Sequence, residues 1–247
     1  MAPSFRNTFL ASLPADDFAH IAPDLAVVSF RAGQVIQKRG EPLREIWFLD
    51  RSLCSFTMTS ADGSTAEVAS VGSEGFVGVE AFLGVSAAYC DATMYIVGNG
   101  MASVMNVDAF RRELGRREVF YSHVLEYVNI FVGALAVSVA CNARHSAEER
   151  CSRWLLEAEI RLGGHELPVT HELLAHLLGV RRPTVSLVLQ QFERAGIIST
   201  TRGRVQINDH HALGQHACEC YQLNRLFDQQ GLAHVPREPR ARVSVAR

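Results

Sequence analysis

Residues 170–204 read THELLAHLLGVRRPTVSLVLQQFERAGIISTTRGR, and this stretch decides the fold of the C-terminal part of the chain. Thr170 is suited to cap a helix in which leucines recur at helical spacing. Gly179 stands where that helix must end in an open or left-handed turn. A second helix is predicted to begin at Arg182-Pro183, because proline in a first turn loses no useful hydrogen bond. Two helices joined in this way are typical of a helix-turn-helix, which places its second helix in the major groove of DNA.

The second helix has an apolar and a polar face. Its inner stripe is predicted to contain Val185, Val188, Leu189 and Phe192. The outer face carries guanidinium, hydroxyl and amide groups, which read base edges and bind phosphate. The predicted DNA-contacting residues of this region are Thr170, Arg181, Arg182, Thr184, Ser186 and Gln190. Arg182 is expected to read a guanine edge, and the alternative is a small helical subdomain with a solvated basic face.

A hairpin is predicted directly after the second helix. Residues 197–200 and 205–207 alternate like short strands around the turn sequence Arg202-Gly203-Arg204. The two arginines would project from the tip of the hairpin. The sequence therefore predicts a wing whose Arg202 and Arg204 contact DNA phosphates.

Composition indicates a soluble protein with more than one domain. The chain has 247 residues, of which 48% are hydrophobic, and its net charge is −2. Such a charge does not suit indiscriminate coating of nucleic acid, so binding would depend on local arginines. No N-terminal basic segment precedes a long apolar run, and a cytoplasmic protein is therefore expected. Residues 236–247 are predicted to form a disordered basic tail.

A long helix is predicted over residues 116–144. Apolar residues alternate spacings of four and three along it, which is the pattern of a coiled-coil seam. The predicted dimer interface consists of Tyr121, Leu125, Val128, Val132, Leu135 and Val139. A twofold dimer would hold two recognition helices about 34 Å apart and read a near-palindrome. A helix buried within one chain and a membrane-spanning helix are the alternatives, the latter because 127–143 carries no charge.

The regions on either side of this helix complete the predicted architecture. Ser146 and Glu149 have the spacing of a capping box, which opens a DNA-binding domain over residues 145–235. Residues 25–106 read as short strands separated by turn signals, among them Asp50-Arg51-Ser52 and Gly98-Asn99-Gly100. The strands indicate a β-roll or jelly roll within an N-terminal domain of residues 1–115. The predicted fold class is α+β.

This combination resembles the Crp/Fnr family of bacterial transcription regulators over nearly the whole chain. The resemblance is most specific in LLGVRRPTV at residues 177–185 and in EGFVG at residues 74–78. It implies a cyclic-nucleotide-binding-like roll, a dimerisation helix and a winged helix-turn-helix. It also implies a homodimer that binds double-stranded DNA under ligand control, with RNA polymerase as a candidate further partner.

The resemblance also locates an effector pocket whose recognition residues are altered. Cyclic-AMP-binding members hold the ribose with a glycine-glutamate pair and the phosphate with an arginine-serine pair. Here Gly78 is followed by Val79, and Tyr89-Cys90 stand where arginine-serine is expected. The degenerate pocket is predicted to comprise Gly78, Val79, Glu80, Phe82, Tyr89, Cys90 and Leu135. A cyclic phosphate would lack its guanidinium, so tight cyclic AMP binding is not expected. An unidentified effector and ligand-independent DNA binding both remain open.

The six cysteines are predicted to be free thiols, and no metal or cofactor is predicted. None precedes Cys54, so the N-terminal iron–sulfur group of the family's oxygen sensors is absent. Cys218 and Cys220, with His210 and His211 nearby, form the strongest metal candidate. A Cys-x-Cys pair on a helix points its side chains apart, however, and the remaining ligands have no recognised spacing.

Two other functional classes compete with a DNA-binding regulator. Jelly-roll folds host metal-dependent oxygenases, but no histidine occurs from Ile21 to Ser122, and no catalytic motif occurs elsewhere. The chain is therefore not expected to be an enzyme. The second alternative is a dimeric sensory module that binds another small ligand, or senses a redox signal, and acts through protein contacts.

Overall fold

The computed structural model describes residues 7–230, so the predicted tail at 236–247 lies outside the described residues. The N-terminal part contains α1 (Thr8–Ala11), α2 (Ala15–Ile21), β1 (Leu25–Phe30), β2 (Val35–Gln37), β3 (Glu45–Thr59), β4 (Thr65–Val71), β5 (Phe76–Val77) and β6 (Asp91–Asn106). The helices α3 (Val107–Arg116) and α4 (Glu118–Arg144) follow. The C-terminal part contains α5 (Ala147–Leu162), β7 (Glu166–Leu167), α6 (His171–Leu178), α7 (Arg182–Arg194), β8 (Ile198–Thr201), β9 (Arg204–Ile207), α8 (His210–Gln215) and α9 (Cys220–Gln230).

The strands β1 to β6 form one antiparallel curled sheet. Its order is β1-β6-β3-β4, with β2 paired to β6 and β5 paired to β3. Phe48, Phe56 and Phe76 are fully buried inside the curl, together with Phe110 of α3. The mixed fold with a roll, a long helix and a C-terminal helix-turn-helix confirms the predicted fold class.

Two predicted turns in the roll are wrong. Asp50-Arg51-Ser52 lies inside β3, and Gly98-Asn99-Gly100 lies inside β6. The two sites face each other where the register shifts, because Asp50 pairs with Met101 while Ser52 pairs with Ile96. Arg51 has a φ of 43°, which is the left-handed region. Turn-forming residues here make a β-bulge, which bends a strand without ending it.

The helix α4 packs one face on the roll and leaves the other exposed. Phe120, Val124, Tyr127 and Phe131 lie in the roll core. Val128 is also buried there, although the sequence placed it in the dimer seam, because the seam and core stripes adjoin on this apolar helix. Leu125, Val132 and Val139 are exposed, whereas Tyr121 and Leu135 are half-buried. Among the described residues, α4 alone is long and apolar enough to span a membrane by length and composition.

The domain that follows α4 packs against the roll through α5. The capping box predicted at Ser146 and Glu149 is present, and α5 ends at Gly163 with a φ of 70°. Leu53 of β3 belongs to the same apolar core as α5, α6 and α7. Polar contacts join the same surfaces, since Trp154 Nε1 donates to Glu67 Oε2 at 3.3 Å and Arg161 Nε donates to Glu74 Oε1 at 2.7 Å.

Candidate nucleic-acid interface

The turn between α6 and α7 has the geometry that the sequence predicts. Thr170 Oγ1 accepts a hydrogen bond of 3.1 Å from the Leu173 amide and so caps α6. Gly179 ends α6 with a φ of 62°, a conformation that favours glycine. A Cβ at Gly179 would lie 3.1 Å from the Ala66 Cβ of β4. The glycine therefore serves both the turn and the close approach of the roll.

The helix α7 presents a polar face to solvent. Val185, Val188, Leu189 and Phe192 are buried, as predicted for its inner stripe. Arg181, Arg182 and Gln190 are exposed, and so is Leu187. The side chains of Arg182 and Glu172 form an ion pair of 3.6 Å and are 66% and 78% exposed. Such a pair in water contributes little and leaves the guanidinium available to another anion.

Thr184 and Ser186 are less accessible than the arginines. Both residues are half-buried, and Ser186 Oγ lies 3.0 Å from His171 Nδ1. The sequence predicts no role for His171. No local signal pairs His171 with Ser186, because they lie fifteen positions apart on different helices. His171 therefore orients Ser186 on the face predicted to contact DNA.

The wing is a three-stranded sheet in the order β7-β9-β8. Gly203 forms its tip with a φ of 77°, next to the exposed Arg202. Arg204 lies on β9 and pairs with Glu166 of β7, so only Arg202 occupies the tip. The amide and hydroxyl of Thr200 both donate to Glu193 Oε1, at 2.8 and 2.6 Å, which fixes the wing to α7.

An open cleft runs between the wing and the helix-turn-helix. Its lining residues are Val169, Thr170, His171, Glu172, Arg182, Thr201, Arg202, Gly203 and Arg204. Three guanidinium groups and one carboxylate share this surface. The cleft thus combines residues from α6, α7 and the wing into one positively charged concave surface, which suits a phosphate backbone.

The region predicted as an effector pocket is largely occupied by contacts within the protein. Gly78 has a φ of 109° and opens a turn that buries Val79 and Glu80. Glu80 Oε1 accepts from Gln37 Nε2 at 2.9 Å and from the Tyr89 amide at 3.3 Å. Glu80 Oε2 is buried without a hydrogen-bond partner among the described residues.

The aromatic and thiol groups of the predicted pocket supply no positive charge. The rings of Phe82 and Tyr121 lie 5.2 Å apart, and Leu135 packs against the roll core. Tyr89 is 56% exposed. Burial, together with the nearby Glu80 and Asp91 carboxylates, raises the pKa of the Cys90 thiol to about 12. A cleft on the roll is lined by residues between Val35 and Trp47, including the Gln37 that donates to Glu80, but by none of the predicted effector-pocket residues.

Comparisons with known proteins agree with this geometry. Residues 149–215 match the family model of the Crp-like helix-turn-helix domain. FixK2 from Bradyrhizobium japonicum has a TM-score of 0.63 at 16% identity, over 78% of this chain and 98% of that chain. A CRP-family transcriptional regulator from Thermus thermophilus has a TM-score of 0.66 at 22% identity, over 77% and 96%. The c-di-GMP responsive global regulator CLP from Xanthomonas campestris has a TM-score of 0.61 at 13% identity, over 78% and 99%. No curated protein matches the chain.

Residues 149–215 therefore form a helix-turn-helix domain of the Crp-like class. The chain as a whole has the fold of the Crp/Fnr transcription regulators, and the resemblance indicated by the sequence is confirmed.

Proposed function

We propose that the protein is a cytoplasmic, homodimeric transcription regulator that binds a near-palindromic operator. We assign sensing to residues 1–115, dimerisation to 116–144 and DNA binding to 145–235. The observation that carries the proposal is the cleft in which Arg182 of the recognition helix and Arg202 of the wing lie together on a Crp-like domain. The protein would act by binding rather than catalysis, with RNA polymerase as a candidate further partner.

Operator selection from random duplexes tests sequence-specific binding by the full chain. We expect a motif with two inverted half-sites separated by about one helical turn, roughly 34 Å. Recovery of no recurring motif at modest ionic strength would contradict the proposal. A single, unrepeated half-site would retain DNA recognition but contradict the symmetric dimer.

Exposed apolar residues on α4 support dimerisation. Leu125, Val132 and Val139 lie seven residues apart, and their exposed fractions are 39%, 54% and 70%. A spacing of seven keeps side chains on one edge of a helix, where a second copy can cover them.

Val132→Glu should convert a dimer to a monomer in light scattering, because it places charges at the twofold seam. Val119→Glu is the matched control, since Val119 is 40% exposed but lies off this edge.

We further propose that cyclic AMP is not the effector. Tyr89 and Cys90 offer no guanidinium to a cyclic phosphate, and the Glu80 carboxylate already accepts bonds from Gln37 and the Tyr89 backbone. Burying an unpaired phosphate there would cost several kcal/mol.

Calorimetry with cyclic AMP should show no saturable binding, and micromolar affinity would overturn this proposal. Because the Xanthomonas regulator is described as c-di-GMP responsive, that dinucleotide is a reasonable second ligand to test.

The competing function is a sensory module that acts only through protein contacts. It predicts that a dimer forms but that operator selection fails even when the wing arginines are intact. The basic cleft favours DNA binding, because it brings three arginines together beside the recognition helix, where they can contact phosphates.

A further inference from the structure

Four potential metal ligands meet where α4 ends. The ligand atoms of Cys141, His145, Cys218 and Cys220 all lie within 4.8 Å of one another. The two Sγ atoms of Cys141 and Cys218 are 3.6 Å apart, and Cys220 Sγ is 3.6 Å from His145 Nδ1. The three cysteines are buried, and the His145 side chain is 14% exposed. These residues are called the Cys3His cluster below.

Secondary structure explains how the cluster forms. Cys141 and His145 are four residues apart at the end of α4, which places them on one face. Cys218 lies in the turn before α9, and Cys220 is the first residue of that helix. The sequence-based argument that a Cys-x-Cys pair on a helix points apart therefore does not hold, since only one of the two cysteines is helical. His210 and His211, the predicted candidate ligands, are not members of the cluster.

Two ligand separations within the cluster match those around one tetrahedral ion. Zinc binds thiolate sulfur at about 2.3 Å and imidazole nitrogen at about 2.0 Å, so neighbouring ligand atoms around it lie a little under 4 Å apart. The two separations of 3.6 Å agree with that edge length. An iron–sulfur cluster binds its cysteines through different iron atoms, which spreads the sulfurs further apart. A set of three thiolates and one imidazole is a known structural zinc site.

The surroundings supply the features that such a site requires. His145 directs Nδ1 toward the sulfurs, while Nε2 lies 3.3 Å from Glu219 Oε1. Metal-bound histidines commonly donate their second ring nitrogen to a carboxylate in this manner, which fixes the ring orientation. Arg150 and Arg153 of α5 interact electrostatically with Cys141. Their charges offset the net negative charge of three thiolates around a divalent cation.

We propose that the Cys3His cluster is a structural zinc site, formed when three thiols release their protons to solvent and the resulting thiolates bind Zn²⁺ together with the His145 imidazole. The site joins the end of α4 to the start of α9, two helices that also pack together. The segment between Cys141 and Cys218 contains the whole helix-turn-helix and wing. A zinc ion would therefore fix the joint at His145-Ser146 through which the DNA-binding domain attaches to α4.

Metal analysis of the untagged full-length protein, purified without chelators, tests the proposal directly. We expect about one zinc per chain. Replacement by Co²⁺ should give the intense visible bands of tetrahedral cobalt bound to thiolates. A metal-free protein that develops no such bands would overturn the proposal. So would an iron–sulfur chromophore, or a Cys141–Cys218 disulfide in freshly isolated protein.

Variants connect the metal to these residues. Cys218→Ser should weaken zinc binding by more than about 100-fold, and Glu219→Gln by about 10–100-fold, the usual cost of losing an outer-shell partner. Cys151→Ser and His216→Ala are matched controls outside the cluster and should keep full occupancy. Should Cys218→Ser fail to fold, His145→Cys offers a second test, because a fourth thiolate should retain zinc. Equal zinc affinity in Cys218→Ser and Cys151→Ser would overturn the assignment.

Discussion

Two arginine–glutamate pairs in the DNA-binding domain have similar lengths and opposite surroundings. The pair of Arg153 and Glu157 in α5 measures 3.1 Å, and both side chains are 8% exposed. The pair of Arg182 and Glu172 measures 3.6 Å, and its side chains are 66% and 78% exposed. One pair is sealed against the roll, whereas the other borders the basic cleft.

The buried pair belongs to a charge network that holds the domain against the roll, whereas the exposed pair leaves Arg182 available to a partner. Glu157 also accepts from Arg161 Nη1 at 3.4 Å and from Asn224 Nδ2 at 2.8 Å, and Arg161 in turn reaches Glu74 of the roll. Removing one charged side chain from such a network leaves the remaining charges buried without that partner, where water solvates them poorly. The exposed pair loses almost nothing when one partner leaves, because water replaces it. Arg182 can therefore exchange Glu172 for DNA at little cost.

The largest expected effect on stability comes from removing one member of the buried Arg153–Glu157 pair. Glu157→Ala should lower the free energy of unfolding by about 3–5 kcal/mol, since the buried Arg153 would lose the carboxylate that pairs with it directly. Glu172→Ala, the matched change in the exposed pair, should alter it by less than about 1 kcal/mol. Urea unfolding monitored through the buried Trp154 measures both. Equal losses in the two variants would show that burial does not distinguish the pairs.

The next effect concerns Glu67, which joins the buried network from the roll side. Burial raises the pKa of Glu67 from 4.5 to about 7, although the Trp154 hydrogen bond opposes the shift. Between these values the unfolded chain loses a proton that the folded protein keeps. Stability should therefore fall as pH rises from about 4.5 to about 7 and stay flat above, by up to about 3 kcal/mol in total.

Comparing the pH profiles of the native protein and Glu67→Gln isolates this effect from other titrations. The amide keeps an acceptor for Trp154 and removes the proton equilibrium, so the difference between the two profiles should follow the slope described. Parallel profiles would mean that Glu67 is ionised in the folded protein throughout this range.

The same contrast explains what the sequence could and could not predict. The cap at Thr170, the glycine turn at Gly179 and the inner stripe of α7 depend on residues within one helix-turn-helix, and all three are confirmed. Arg153 and Arg161 carry no local sign that they face the roll, because their partners Glu67 and Glu74 lie nearly ninety residues away. Val128 lies in the roll core rather than in the predicted seam, because the two apolar stripes adjoin on α4.

The Cys3His cluster and the bulge in β3 also depend on contacts between residues that are distant in the sequence, and neither was predicted. Cys141 and Cys218 are 77 residues apart in the sequence, so spacing alone gave no ligand pattern. Asp50-Arg51-Ser52 has turn chemistry, but pairing with β6 on both sides keeps the strand continuous. Short-range signals therefore described the helix-turn-helix and its wing better than the roll.

Arg182→Ala tests the exposed side of the comparison. If Arg182 reads a guanine edge, operator binding should weaken by about 1–3 kcal/mol, and preference at one base position should relax. Arg194→Ala is the matched control, because Arg194 is an exposed arginine at the opposite end of α7, about 18 Å away. Gel-shift titrations against the operator and single-base variants measure both. A uniform loss for all sequences would reassign Arg182 to phosphate.

The smallest effect is expected at the wing tip. Arg202 is exposed beside Gly203 and has no ion-pair partner within the described part of the chain, whereas Arg204 is already paired with Glu166. Arg202→Ala should therefore weaken all DNA sequences alike and reduce the slope of log affinity against log salt by about one. Arg204→Ala should change that slope less, because Glu166 already neutralises part of its charge. Titrations of DNA binding against salt concentration measure this slope for both variants. A sequence-selective loss of affinity in Arg202→Ala would show that the wing reads bases as well as phosphates.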